Sequence, residues 1–159
     1  LSLIDMWREI HKDEVDVLRE AGRWDAVFPQ FYRDATKSWA VTEEAVIAYY
    51  QRCWLLYGIF DRSLEGLLYL QRITDQVYEV HLDVKRGIDR DLLVRGCMGA
   101  RDDAFTRIEA LVTWPLQRNR PLQRMLGGLG FEPTGLEMRR GKSHGQILRW
   151  VQMRARRGQ

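Results

Sequence analysis

The chain has only two cysteines, Cys53 and Cys97, three histidines and four prolines in 159 residues. Two cysteines are too few for a disulfide framework, and neither has a histidine at metal-ligand spacing, so neither crosslinks nor zinc are expected to hold the fold and a reducing compartment is the simplest reading. Long apolar runs are also missing. None approaches the roughly 20 residues that cross a bilayer, and the opening stretch LSLIDMWREIHKDE is too acidic for a secretory leader. There is no repeat, no low-complexity tract and no linker rich in proline, glycine or serine. These absences predict a soluble cytoplasmic protein with no membrane contact.

What is present suffices for one core. A content of 45% hydrophobic and 11% aromatic residues in a chain of this length predicts a single domain over 1–159. The net charge is +3, unevenly spread: seven basic residues and no acid follow Glu137, leaving 18 basic against 22 acidic residues before them, a balance of −4. A basic end on an acidic body is a candidate contact for an acidic protein surface or nucleic acid.

Periodicity gives the elements. Asp5 to Glu20 reads as an amphipathic helix through Trp7, Ile10, Val15 and Leu18. VTEEAVIAYYQR reads as a second helix, with Thr42 as N-cap and Glu43 and Glu44 suited to the positive end of its dipole. CWLLYGIF and GLLYLQRI read as a hairpin across DRSLEG. QVYEVHLDV alternates, with Tyr78, Val80, Leu82 and Val84 on one face and Glu79, His81 and Asp83 on the other. A glycine turn, KRG, then leads into a helix from about Asp89 or Asp91 to Phe105. Gly96 and Gly99 inside that helix cost about 1 kcal/mol each unless something packs closely on them. The strand Arg107 to Trp114 follows, and strand, helix and strand make a right-handed crossover with parallel strands. A helix over NRPLQRMLGG ends at Gly130, and TGLEMRR pairs with QILRWVQM across GKSHG. The expected architecture is α/β: a mixed, mostly antiparallel sheet of about six strands with one parallel pair and helices on both faces. Residues 1–51 supply the first helices, 52–137 the sheet and its crossover, and 138–159 a basic hairpin strand and tail.

This order, with TWPLQRNRPLQRMLGGLGF, resembles the GNAT (GCN5-related N-acetyltransferase) superfamily, and most of all the divergent GNAT-like proteins encoded by bacteriophages, some of them associated with virions. Asn119 matches the family's asparagine after the strand, and Leu129, Gly130 and Phe131 match its Leu-Gly-Phe signature. The resemblance spans roughly Arg52 to Met153 and implies a GNAT fold, acetyl-CoA as cofactor and an amine as acceptor. It implies cofactor contacts at Val84, Arg86, Gly87, Arg90 and Asn119. The family's phosphate loop carries further glycines where this chain has Asp89 and Asp91. Carboxylates there are good N-caps that would compete with a phosphate for the same amides. Leu126 stands where many members carry a tyrosine that protonates the departing thiolate.

Transfer to an amine needs a base within hydrogen-bond reach of it. Glu79 and His81, on the polar face of the strand before the glycine turn, are the candidates, since imidazole exchanges its proton near neutral pH. Two functions are therefore carried forward. The first is an acetyl-CoA-dependent N-acyltransferase. The alternative is a catalytically silent GNAT-like binding or structural module, as in a virion, that works through its basic C-terminal segment, alone, as a homo-oligomer or in a larger assembly.

Overall fold

The computed structural model describes residues 6–24 and 43–159. Its elements in chain order are β1 (Trp7–Glu9), α1 (Val15–Gly22), α2 (Glu43–Gln51), β2 (Leu55–Asp61), β3 (Ser63–Arg72), β4 (Val77–Val84), α3 (Arg90–Ala104), β5 (Ala110–Thr113), α4 (Arg120–Gly128), β6 (Glu132–Ser143) and β7 (Gln146–Arg156). The strands form a seven-stranded mixed sheet in the order β1-β2-β3-β4-β5-β7-β6. Its parallel pair is β4 with β5, aligned Tyr78 to Leu111, at the two ends of the expected crossover.

The chain divides into two compact units, Leu1–Gln71 with His81–Arg101 and Arg72–Val80 with Asp102–Gln159. In the first, the helix expected from Asp5 to Glu20 is replaced by β1, a turn and the shorter α1. Trp7, Arg8 and Glu9 pair antiparallel with Ile59, Gly58 and Tyr57, which raises the strand count from about six to seven. Residues three apart satisfied a helical period, but the waiting edge of β2 overrode that local preference. The Glu14 carboxylate accepts from the His11 amide at 2.7 Å and closes the turn before α1.

The two glycines of α3 have a packing reason. A Cβ on Gly99 would stand 2.0 Å from Nε1 of Trp7, and one on Gly96 would stand 2.8 Å from the Ile59 side chain. Close approach of strand residues to α3 therefore requires glycine at both places. The β2–β3 hairpin turns more tightly than DRSLEG suggests, through Arg62 at φ 63°, with Asp61 aligned to Ser63. Beneath it lies a core that includes Leu18, Tyr50, Leu56, Leu67 and Tyr69. Of the aromatic set Trp24, Phe28, Phe31, Tyr32 and Trp39, Trp24 is buried; the other four and Thr42 lie outside the described residues.

In the second unit, Asn119 caps α4 by accepting from the Leu122 amide at 3.2 Å, with Pro121 in the first turn. Gly130 follows the helix at φ 91°, the left-handed stop expected of it. Leu126, Leu129 and Phe131 are buried. The β6–β7 hairpin turns at His144 and Gly145, both at positive φ. The basic tail is only partly free: Arg157 reaches Glu109 at 3.2 Å and donates to the Ile108 carbonyl.

Candidate active site

The alternation of β4 places Glu79, His81 and Asp83 on one face, and in the first unit that face turns inward. Asp83 is the buried charged residue of the described chain, 8% exposed. A carboxylate taken out of water needs hydrogen-bond donors. The Tyr50 hydroxyl of α2 supplies one, donating to Oδ2 at 2.8 Å, and the Tyr69 hydroxyl of β3 favours the charged form as well. Both tyrosines are buried and meet edge to face at 5.4 Å between ring centroids. Tyr49 joins them at 5.9 and 5.8 Å, and its hydroxyl accepts from Nε2 of Gln71 at 3.2 Å.

His81 stacks on this assembly. Its ring lies over Tyr69 at 5.1 Å with 16° between the planes, so the tyrosine fixes the imidazole's orientation and covers one of its faces. Burial pushes the Asp83 carboxyl up to about 6, while the two tyrosine hydroxyls and the neighbouring His81 pull it down. The tyrosine hydroxyls are pushed far above their ordinary range by burial and by Asp83. They stay protonated. The group that changes charge near neutral pH is therefore a carboxyl two residues along the strand from an imidazole, an arrangement suited to holding and passing a proton.

Just beyond, β4 ends at Val84 and the chain turns through Arg86 and Gly87. Gly87 has φ 83°, and a Cβ there would meet nothing within 4 Å, so the turn is open to solvent. Asp89 caps α3 by accepting from the Leu92 amide at 2.9 Å, and Asp91 pairs with Arg95 at 3.1 Å. The amides of Gly87, Arg90 and Asp91 and the guanidiniums of Arg86 and Arg90 have no hydrogen-bond or ionic partner among the described residues. Open amides with two free cations fit a phosphate, although Asp89 already holds one of the helix-start amides. Arg86, Gly87 and Arg90 are thus brought together at this turn, one strand end from His81.

Other sequence candidates fall elsewhere. Glu79 belongs to the second unit, where it aligns with Val112 of β5. Asn119 is in the second unit too, its carboxamide oxygen engaged as a helix cap. Asp83 was not singled out from the sequence beyond its place on the polar face. The signal that it is buried lies in Tyr50 and Tyr69, whose hydroxyls in apolar segments need an acceptor. Among the described residues no helix is long and apolar enough to cross a membrane, and no cluster of three metal-ligating side chains forms.

No protein-family model and no curated protein matches the sequence. Solved structures match its fold over nearly the whole chain. A GNAT superfamily phosphinothricin acetyltransferase from Sinorhizobium meliloti, in complex with acetyl-CoA, matches with TM-score 0.70 and 13% identity over 96% of this chain and 88% of that one. A mutant of spermidine N-acetyltransferase from Vibrio cholerae matches with TM-score 0.72 and 12% identity over 95% and 94%. Ribosomal-protein-S5-alanine acetyltransferase from Vibrio fischeri matches with TM-score 0.69 and 12% identity over 96% and 92%. The fold is that of GNAT acetyltransferases.

Proposed function

We propose that this chain is an N-acyltransferase that moves an acetyl group from acetyl-CoA to an amine. The observation that carries the reading is the stack of His81 on Tyr69 above the buried Asp83 carboxyl, placed on the strand that leads into the open Arg86–Gly87 turn. Acetyl-CoA would supply the activated acetyl thioester. Arg86, the backbone at Gly87 and Arg90 would hold its pyrophosphate, and Val84 would touch its arm.

On the polar face of β4, His81 would accept the proton lost by the attacking amine, with Glu79 as the other candidate base. Tyr69 keeps the ring plane fixed. Above about pH 6 the Asp83 carboxyl, two residues along the strand, is charged. Leu126 is buried and apolar and has no proton to give, so the proton on His81 would return to the departing thiolate, balancing the transfer. Thiol release from acetyl-CoA with a panel of primary amines tests the reading. The wild type should turn over and His81→Ala should lose at least about a hundredfold, the scale of positioned acid-base groups. Equal rates would refute the role of His81.

A second reading is favoured by one contact, the Asp89 cap on the Leu92 amide: a GNAT-like module that keeps the fold without using the cofactor, virion-associated or not, and binds an acidic partner through its basic end. Absence of both acetyl-CoA binding and turnover would favour it.

A further inference from the structure

We propose that the groove between the 115–118 loop and the β6–β7 hairpin, wholly inside the second unit, binds a phosphate monoester. The cavity there is about 510 Å³, and Arg118, Arg139 and Arg149 line it with no acidic residue. None of the three guanidiniums has a hydrogen bond or ion pair with a described residue. Arg139 and Arg149 are direct cross-strand partners, so they share one face of the hairpin. Like charges in that position destabilise a sheet. An anion between them reverses the sign of the interaction, and the planar guanidinium forks match the oxygens of a phosphate.

The groove is built, not a chance gathering of side chains. The 115–118 loop is tied to β7 by the Gln117 amide donating to the Arg149 carbonyl and by the Val151 amide donating to the Pro115 carbonyl, both at 2.9 Å. Leu116 bridges to Trp150. From α4, Nε2 of Gln123 donates to the carbonyls of Leu116 and Gln117 at 3.0 and 2.8 Å. On the other wall β6 shifts register between Arg139 and Lys142, Gly141 takes φ 78°, and Nε1 of Trp150 donates to the Arg140 carbonyl at 2.9 Å. These ties hold Arg118 and Arg149 on one backbone frame. Gln117 and Ser143 add neutral hydrogen-bonding groups at the rim. Ile147, 56% exposed, leaves an apolar wall that suits the organic part of an ester, and the volume lies in the range of small-molecule sites.

The test is calorimetric titration of the full chain with phenyl phosphate at low ionic strength. One equivalent should bind, and the double variant Arg139→Ala with Arg149→Ala should bind at least about tenfold more weakly, the loss expected for charge-assisted hydrogen bonds. Lys142→Ala, outside the groove, should leave the affinity unchanged. Inorganic phosphate should bind more weakly than the ester. Thermal denaturation gives a second readout: Arg149→Gln should melt no lower than wild type without ligand and should lose the upward shift that phenyl phosphate gives the wild type. No binding, binding undiminished in the double variant, or equal affinity for inorganic phosphate would overturn the proposal. So would a short single-stranded oligonucleotide or an acidic peptide binding far more tightly through the same arginines. Acetyl-CoA binding by the double variant should match wild type, which separates this site from the acyltransferase reading.

Discussion

The Tyr50 hydroxyl donates to Oδ2 of Asp83 across 2.8 Å, joining α2 to β4 inside the first unit. It leaves a carboxyl that is buried, hydrogen-bonded and pushed up to about 6. Folding stability should carry that signature. The folded-state value lies above the ordinary 3.8, so the native state holds this proton more tightly than the unfolded chain. The contribution is fully present below about pH 3.8 and is lost as pH rises through about 6. Asp83→Asn keeps the shape and removes the charge. Urea unfolding should therefore show the variant gaining on wild type between pH 4 and 7, by on the order of 1–3 kcal/mol. Parallel curves would mean that Asp83 titrates as an ordinary surface carboxyl.

Tyr50→Phe removes a donor from the same carboxyl and leaves the packing nearly intact. At pH 8 Asp83 is charged and the loss should be about 1–3 kcal/mol, the cost of depriving a buried charged group of a hydrogen bond. At pH 5 the carboxyl is mostly protonated and the loss should shrink. Unfolding measured at both values checks this, and a loss that grows toward acid would contradict it.

Glycines separate close packing from slack. Gly99→Ala forces a methyl group into the Trp7 ring, which must move, and should cost about 1–3 kcal/mol as overpacking does. Gly128→Ala in α4 meets nothing within 4 Å and should stabilise by about 0.5–1 kcal/mol through helix propensity. Thermal melts of the two variants should shift in opposite directions.

Much of this was legible in the residues. Alternation marked β4 and its polar face, the glycine turn and αL stop bounded α3 and α4, and the apolar spacing of NRPLQRMLGG marked α4 as a helix. The strand β1 was not legible, because Trp7–Glu9 sit in a stretch of helical spacing and become a strand only by pairing with β2, a contact about fifty residues away. The candidate site divides the same way. Arg86, Gly87 and Arg90 are neighbours in sequence, so their meeting at one turn follows from local structure. The setting of Asp83 depends on Tyr50 and Tyr69 arriving from α2 and β3, and no local pattern encodes that convergence.

Asn119 holds α4 through its side-chain oxygen, and the family resemblance implies a cofactor contact at the same residue. Asn119→Ala should lose about 1 kcal/mol of stability, as cap removal does. Asn119→Asp keeps the cap and replaces the carboxamide NH₂ with a charge. If the arm of acetyl-CoA uses that NH₂, the aspartate variant should melt like wild type yet bind acetyl-CoA more weakly. Equal affinity would confine Asn119 to the cap.

Titration of the purified chain with acetyl-CoA by calorimetry, beside Arg86→Ala with Arg90→Ala, tests the acyltransferase reading most directly. The account predicts one binding site in the wild type and an affinity at least about tenfold weaker in the double variant, the scale of two lost charge-assisted contacts. No heat at millimolar acetyl-CoA, or binding indifferent to both arginines, would contradict it.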